Sequence, residues 1–167
     1  DGLFTSGFSQ SIGGSTPQDV NLISGNNGDG IALSNSNSDL ILGNLIGTKS
    51  DGTTALSNTG NGLNLSGGST VFNTIGGTQP GDGNVIAFNG GDGVQAADAG
   101  VSNGIRGNSI FANGTTNLNL GIDLGTDGVT NNDDKDADGG PNGLQNFPII
   151  TSALVTGSTK TIKGTLN

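Results

Sequence analysis

A four-residue stretch recurs through the chain as Gly30-Ile31-Ala32-Leu33, Gly62-Leu63-Asn64-Leu65, Gly93-Val94-Gln95-Ala96 and Gly121-Ile122-Asp123-Leu124. The copies are separated by 32, 31 and 28 residues. Between them runs a second pattern, Asn-x-Ile-x-x-Asn, at Asn21/Ile23/Asn26, Asn84/Ile86/Asn89 and Asn108/Ile110/Asn113. Repeats of this length belong to solenoids, whose units cannot bury an apolar face alone and must stack on a neighbour. The apolar residues alternate with polar ones at the period of a strand with one buried face. The pattern therefore predicts an all-β chain, a parallel β-helix of about four to five coils.

Stacking predicts one inward row of Ile31, Leu63, Val94 and Ile122, and a second of Leu33, Leu65, Ala96 and Leu124. The intervening residues, Asp123 among them, are expected to face water. A longer match carries Ile12–Gly30 onto Ile75–Gly93 at a constant offset of 63 residues. It pairs Ile12-Gly13-Gly14 with Ile75-Gly76-Gly77, and Phe8 just ahead of it with Val71.

Composition fits such a fold and few others. Of 167 residues, 33 are glycine and only 30% are hydrophobic, which is too little for an ordinary two-layer core. A solenoid interior is narrow, and each coil supplies only a few inward side chains. Disorder shares this composition, but the aliphatic residues here recur in phase. Collagen is excluded because glycine does not fall at every third position.

All 14 acidic residues are Asp, which bonds to backbone in tight turns as Glu does not. The net charge of −9 argues against nucleic acid, which needs a basic footprint, and no apolar run predicts membrane insertion. There is no Cys or His, which removes thiolate chemistry, a histidine base and imidazole metal ligands. Asp1-Gly2 in place of an initiating Met suggests a processed chain or an excised piece of a longer one.

The recurrent asparagines Asn21, Asn44, Asn84 and Asn108 each precede a strand by one residue. Stacked at a corner, their amides can bond to one another and to turn carbonyls. Six Asn-Gly pairs read as turn chemistry in the same way. Asn73 and Asn84 stand only 11 residues apart and must occupy different corners of one coil. The polar stretch Thr48 to Asn61 reads as a loop leaving the barrel, on a face suited to binding.

One candidate site stands out, the acidic loop at 125–146. Asp134, Asp136 and Asp138, followed by Gly139, place carboxylates at alternate positions before a sharp bend. That resembles the opening of a calcium loop, so these three are the expected ligands of a structural calcium ion. The twelfth position would be Gln145 rather than the bidentate Glu of the full motif, and Asp127 or Asp123 is available instead. No paired carboxylates flank an evident cleft, as a glycosidase requires, so no catalytic residue is assigned.

Residues 1–150 are expected to form the β-helix. Residues 151–167 are expected to cap it or begin a following domain, through strands around Ala153-Leu154-Val155 and Thr161–Leu166. The Ile-Gly-Gly, Asn-x-Ile-x-x-Asn and Gly-Ile-x-Leu motifs, with the tail Asp136–Pro148, resemble right-handed parallel β-helix repeat regions of large secreted or cell-surface bacterial proteins. Related segments occur in archaeal sequences.

The resemblance implies a right-handed solenoid that is one module of a longer extracellular polypeptide. Its expected role is a non-enzymatic structural or adhesive rod, self-associating end to end or meeting surface glycans. The alternative is carbohydrate binding or processing along one face, since polysaccharide enzymes share the fold. The absence of Trp and Tyr weighs against that alternative.

Overall fold

The computed structural model describes residues 1–116 and 118–166. Its regular elements are strands, apart from one short 3-10 turn at Pro141–Leu144. The first coil holds β1 (Leu3–Phe8), β2 (Ser11–Gly13) and β3 (Leu22–Ile23). The second holds β4 (Ile31–Asn37), β5 (Leu40–Leu42) and β6 (Leu45–Ile46). The third has β7 (Leu63–Ser66), β8 (Thr74–Gly76) and β9 (Val85–Ala87), and the fourth β10 (Val94–Ala96), β11 (Gly104–Arg106) and β12 (Ser109–Phe111). A fifth begins with β13 (Ile122–Leu124).

These strands form three parallel sheets in the orders β1-β4-β7-β10-β13, β2-β5-β8-β11 and β3-β6-β9-β12. Each sheet takes one strand from every coil, so the chain is a three-sided parallel solenoid of about four turns. The 63-residue offset spans two coils, because Ile12 pairs with Ile41 and Ile41 with Ile75. The equivalence of Phe8 and Val71 holds too, each pairing with Asn37.

The inward rows form as the glycine-led strands predict. Ile31, Leu63 and Val94 are in mutual register and fully buried, as are Leu33 and Leu65 beside the nearly buried Ala96. Ile41 and Ile75 fill the second side and Ile46 and Ile86 the third. Each fully buried aliphatic side chain contributes about 1.5–3 kcal/mol by leaving water. Ile122 shares the register but is 40% exposed, because among the described residues no strand pairs with the far side of β13.

Four asparagine-rich ladders hold the corners. In the first, Asn21 Nδ2 donates to Asn44 Oδ1 (2.9 Å), Asn44 to Asn84 (3.0 Å) and Asn84 to Asn108 (2.9 Å). The second runs Asn26–Asn58–Asn89–Asn113 and the third Asp39–Asn73–Asn103–Asn142. In the fourth, the amides of Asp29, Asn61 and Asp92 donate to side-chain oxygens of Asp1, Asp29 and Asn61. Many ladder positions follow a residue with positive φ, such as Gly43 (φ 64), Phe88 (φ 61) or Ser38 (φ 59). That conformation reverses the chain and turns the next side chain inward, where its amide satisfies the turn's own backbone.

The Thr48–Asn61 stretch is shorter as an excursion than its sequence suggests. Thr48 bridges Ala55, and the Leu56 amide donates to Gly47 O at 2.9 Å, folding the loop back on the third side. Asn58 is already buried in its ladder. At the loop tip Asp51 accepts from the Thr54 hydroxyl and the amides of Thr53 and Thr54, which holds its carboxyl down to about 2.

Past β13 no further strand joins the three sheets among the described residues. Residues 125–148 turn over its end, and a hairpin of β14 (Ile149–Thr156) and β15 (Thr159–Thr165) follows, every residue of it exposed. Asn167, the last residue of the expected closing segment, lies outside the described residues.

Candidate functional site

The acidic loop is organised by asparagine rather than by its carboxylates. Asn146 donates through Nδ2 to Asp133 O (2.8 Å), and its Oδ1 accepts from the Asp133 amide (3.0 Å). Asn132 makes the same two-way exchange with the backbone of Phe147. Asp133 accepts from the Ala137 amide and Asp136 from the Asn146 amide. The loop is thus pinched shut at its base.

Asp134, Asp136 and Asp138 do not converge. Asp134 projects into solvent, 91% exposed beside Lys135 at 3.9 Å, an ion pair of little energetic weight. Asp136 spends one oxygen on Asn146, and Asp138 is half-buried. Among the described residues no three acidic, His or Cys side chains are placed to share one metal ion. Arg106 forms no ion pair among those residues.

What the fold does bring together is a carboxylate group on the outer face of β13. Asp123 is only 2% exposed, against the expectation that it faces water. The reason is the return of the chain after Leu124, which brings the buried Gly128 close to it. Burial, then the nearby Asp92 and Asp127 carboxylates, push its pKa up. Its Oδ1 has no donor. Asp92 is itself bonded to the Leu120 amide (2.6 Å) and to Gln95 Nε2 (3.1 Å). Sequence alternation places Asp123 outward correctly, but alternation carries no signal for a later segment folding over it.

A raised carboxyl pKa means that Asp123 favours the folded state most when protonated. The contribution is present below the ordinary carboxylate range and is lost as pH rises through the folded-state value. Asp123→Asn keeps the size of the side chain and removes the buried charge. At neutral pH, where the parent holds a buried charge, the variant should be more stable than the parent to unfolding. Chemical denaturation across pH measures this; the difference should vanish in acid, and a destabilised variant at neutral pH would contradict the assignment.

Beside this group lies a groove of about 540 Å³, between the open end of the fourth coil and the returning loop. Ile105, Ile122, Leu124, Val129, Leu144 and Phe147 line it. Asn142 closes one corner, accepting from the Asn103 amide at 2.9 Å and donating to Asn103 O at 2.8 Å. It supplies a fifth-coil asparagine without a fifth strand on that side. An Asn-Gly pair at 142–143 is the sequence signal for this role. Comparison with protein-family models, curated proteins and solved structures returns no match, so the reading of fold and site rests on the chain's own geometry.

Proposed function

We propose that the chain is a non-enzymatic structural and adhesive segment of an extracellular or cell-surface protein, a rigid rod that displays polar loops. The observation that carries this reading is the run of hydrogen-bonded corner ladders through consecutive coils. Each coil is tied to the next by side chain as well as by strand, an arrangement suited to resisting extension and proteolysis. The resemblance to right-handed β-helix repeat regions of secreted bacterial and archaeal proteins supports the same reading.

Self-association is proposed through the N-terminal end, where one edge of β1 has no strand partner among the described residues and Leu3 and Leu22 are exposed. Unpaired edges of this kind recruit other strands. The acidic loop is proposed to take calcium weakly, through carboxylates drawn together on binding. Support for that is the alternate spacing of Asp134, Asp136 and Asp138 and the open exposure of Asp134.

Limited proteolysis with a broad-specificity protease, with and without calcium, tests the rod. Residues 1–124 should survive as one fragment while cuts fall within 125–166, and calcium should slow those within 125–148. Early cutting inside the coils would contradict the rod, and identical loop cleavage in calcium and chelator would remove the ion. Incubation with a panel of surface polysaccharides tests the role itself. Retention without new chain ends is expected of an adhesive segment, and release of cleaved sugar would replace this reading with polysaccharide processing.

A further inference from the structure

Asparagine followed by glycine can deamidate without an enzyme. The glycine amide nitrogen attacks the Asn Cγ, the side-chain nitrogen leaves as ammonia, and a cyclic imide forms. Water then opens the imide at either carbonyl, leaving Asp in normal or β-linked form. The reaction needs a glycine N–H free of its hydrogen bond and an Asn side chain free to swing onto it.

The six Asn-Gly pairs differ sharply in both respects. At Asn61, Asn89, Asn103, Asn113 and Asn142 the side-chain oxygen accepts a ladder hydrogen bond. The glycine amide after each of them is also committed. Gly62 donates to Asp92 O, Gly90 to Asn58 O, Gly104 to Asn73 O, Gly114 to Asn89 O and Gly143 to Gly140 O, at 2.8–3.0 Å. To cyclise, any of these five must first break out of the solenoid.

Asn27-Gly28 is the exception. Asn27 is exposed, and its one side-chain contact is a long bond from Thr59 Oγ1 at 3.4 Å. The Gly28 amide has no acceptor among the described residues. We propose that Asn27 is a site of spontaneous deamidation, the one Asn-Gly pair of the six that reacts while the protein stays folded.

The site matters because of what adjoins it. The Gly28 carbonyl accepts from the Gly60 amide at 2.8 Å, and the Asp29 amide donates to Asp1 at 3.0 Å. A β-linked residue lengthens the backbone by one carbon and pulls both bonds out of register. Either product also adds a carboxylate close to Asp1 and Asp29. Ageing at Asn27 should therefore loosen the first coil from the second and leave the later coils intact.

The test is to hold the purified protein at mildly alkaline pH and follow each Asn-Gly peptide by mass spectrometry, with a parallel sample in concentrated urea. In the folded protein Asn27 should convert first, with the five ladder sites slower by at least about tenfold, since they react only through local opening. In urea the six rates should converge. Asn27→Gln should abolish the early conversion and leave the melting temperature unchanged. Conversion of Asn27 no faster than the ladder sites in the folded protein would overturn the proposal, as would an intact Asn27 there beside a reactive one in urea.

Discussion

Asn84→Ala should lower the free energy of unfolding by at least about 3 kcal/mol, given that each buried polar group left unpaired costs about 1–3 kcal/mol. Asn84 is fully buried at the middle of its ladder. Its Oδ1 accepts from both the amide and the side chain of Asn44, at 2.9 and 3.0 Å. Its Nδ2 donates to Asn108 Oδ1 at 2.9 Å and to Ile41 O at 2.8 Å. Truncation strands groups on both neighbouring coils, the fully buried Asn44 and Ile41 on one and the half-buried Asn108 on the other. The same change at Asn21, exposed at the ladder's end with one side-chain bond to Asn44, should cost no more than about 1 kcal/mol. Equilibrium denaturation of the two variants separates the cases. Equal losses would mean that the ladder is ornament to the sheets rather than part of what holds the coils together.

The second large effect is expected at Gly43→Ala. Gly43 has φ 64 at the turn before Asn44, and a Cβ there would overlap the Gly14 carbonyl oxygen of the coil below. Left-handed backbone costs a non-glycine residue on the order of 1–3 kcal/mol, and forcing an atom into a filled space costs a similar amount. The corner is not closed to side chains in general. Ser38 adopts φ 59 and Phe88 φ 61 at equivalent turns, where Ser38 is exposed and Phe88 is half-buried with its ring edge-on to Phe111 of the next coil. Ser38→Gly should therefore be neutral or slightly stabilising, while Gly43→Ala loses about 3 kcal/mol or more. If both substitutions proved neutral by thermal denaturation, the close approach of successive coils at this corner would be wrong.

The glycine-led strand is legible in the sequence because it is the least interrupted part of the repeat. Ile31, Leu63, Val94 and Ile122 keep a spacing of 28 to 32 residues, one alternation and one leading residue, and the structure stacks all four in register. The asparagine corners are legible for a similar reason, and Asn73 and Asn84 do lie at different corners of one coil. Asn58 is hidden because the Thr48–Ser57 loop breaks the spacing ahead of it. Asp39 and Asp1 are hidden because a carboxylate replaces the amide at those rungs, which a search for asparagine passes over. The burial of Asp123 depends on the path of 125–128, a segment with no periodic signal. The acidic loop is visible as charge, but what shapes it is Asn132 and Asn146, whose backbone bonds leave no mark on the pattern of carboxylates.

Site-resolved hydrogen exchange tests the stacked-ladder account most directly. The backbone amides of Asn44, Asn73 and Asn84 donate to side-chain oxygens of the next coil rather than to any strand. They should exchange as slowly as the amides of the central strands around Ile41 and Ile75, and far more slowly than those of the exposed hairpin at 149–165. Rapid exchange at these three asparagines beside slow exchange in the strands would contradict the ladders as the element that binds coil to coil.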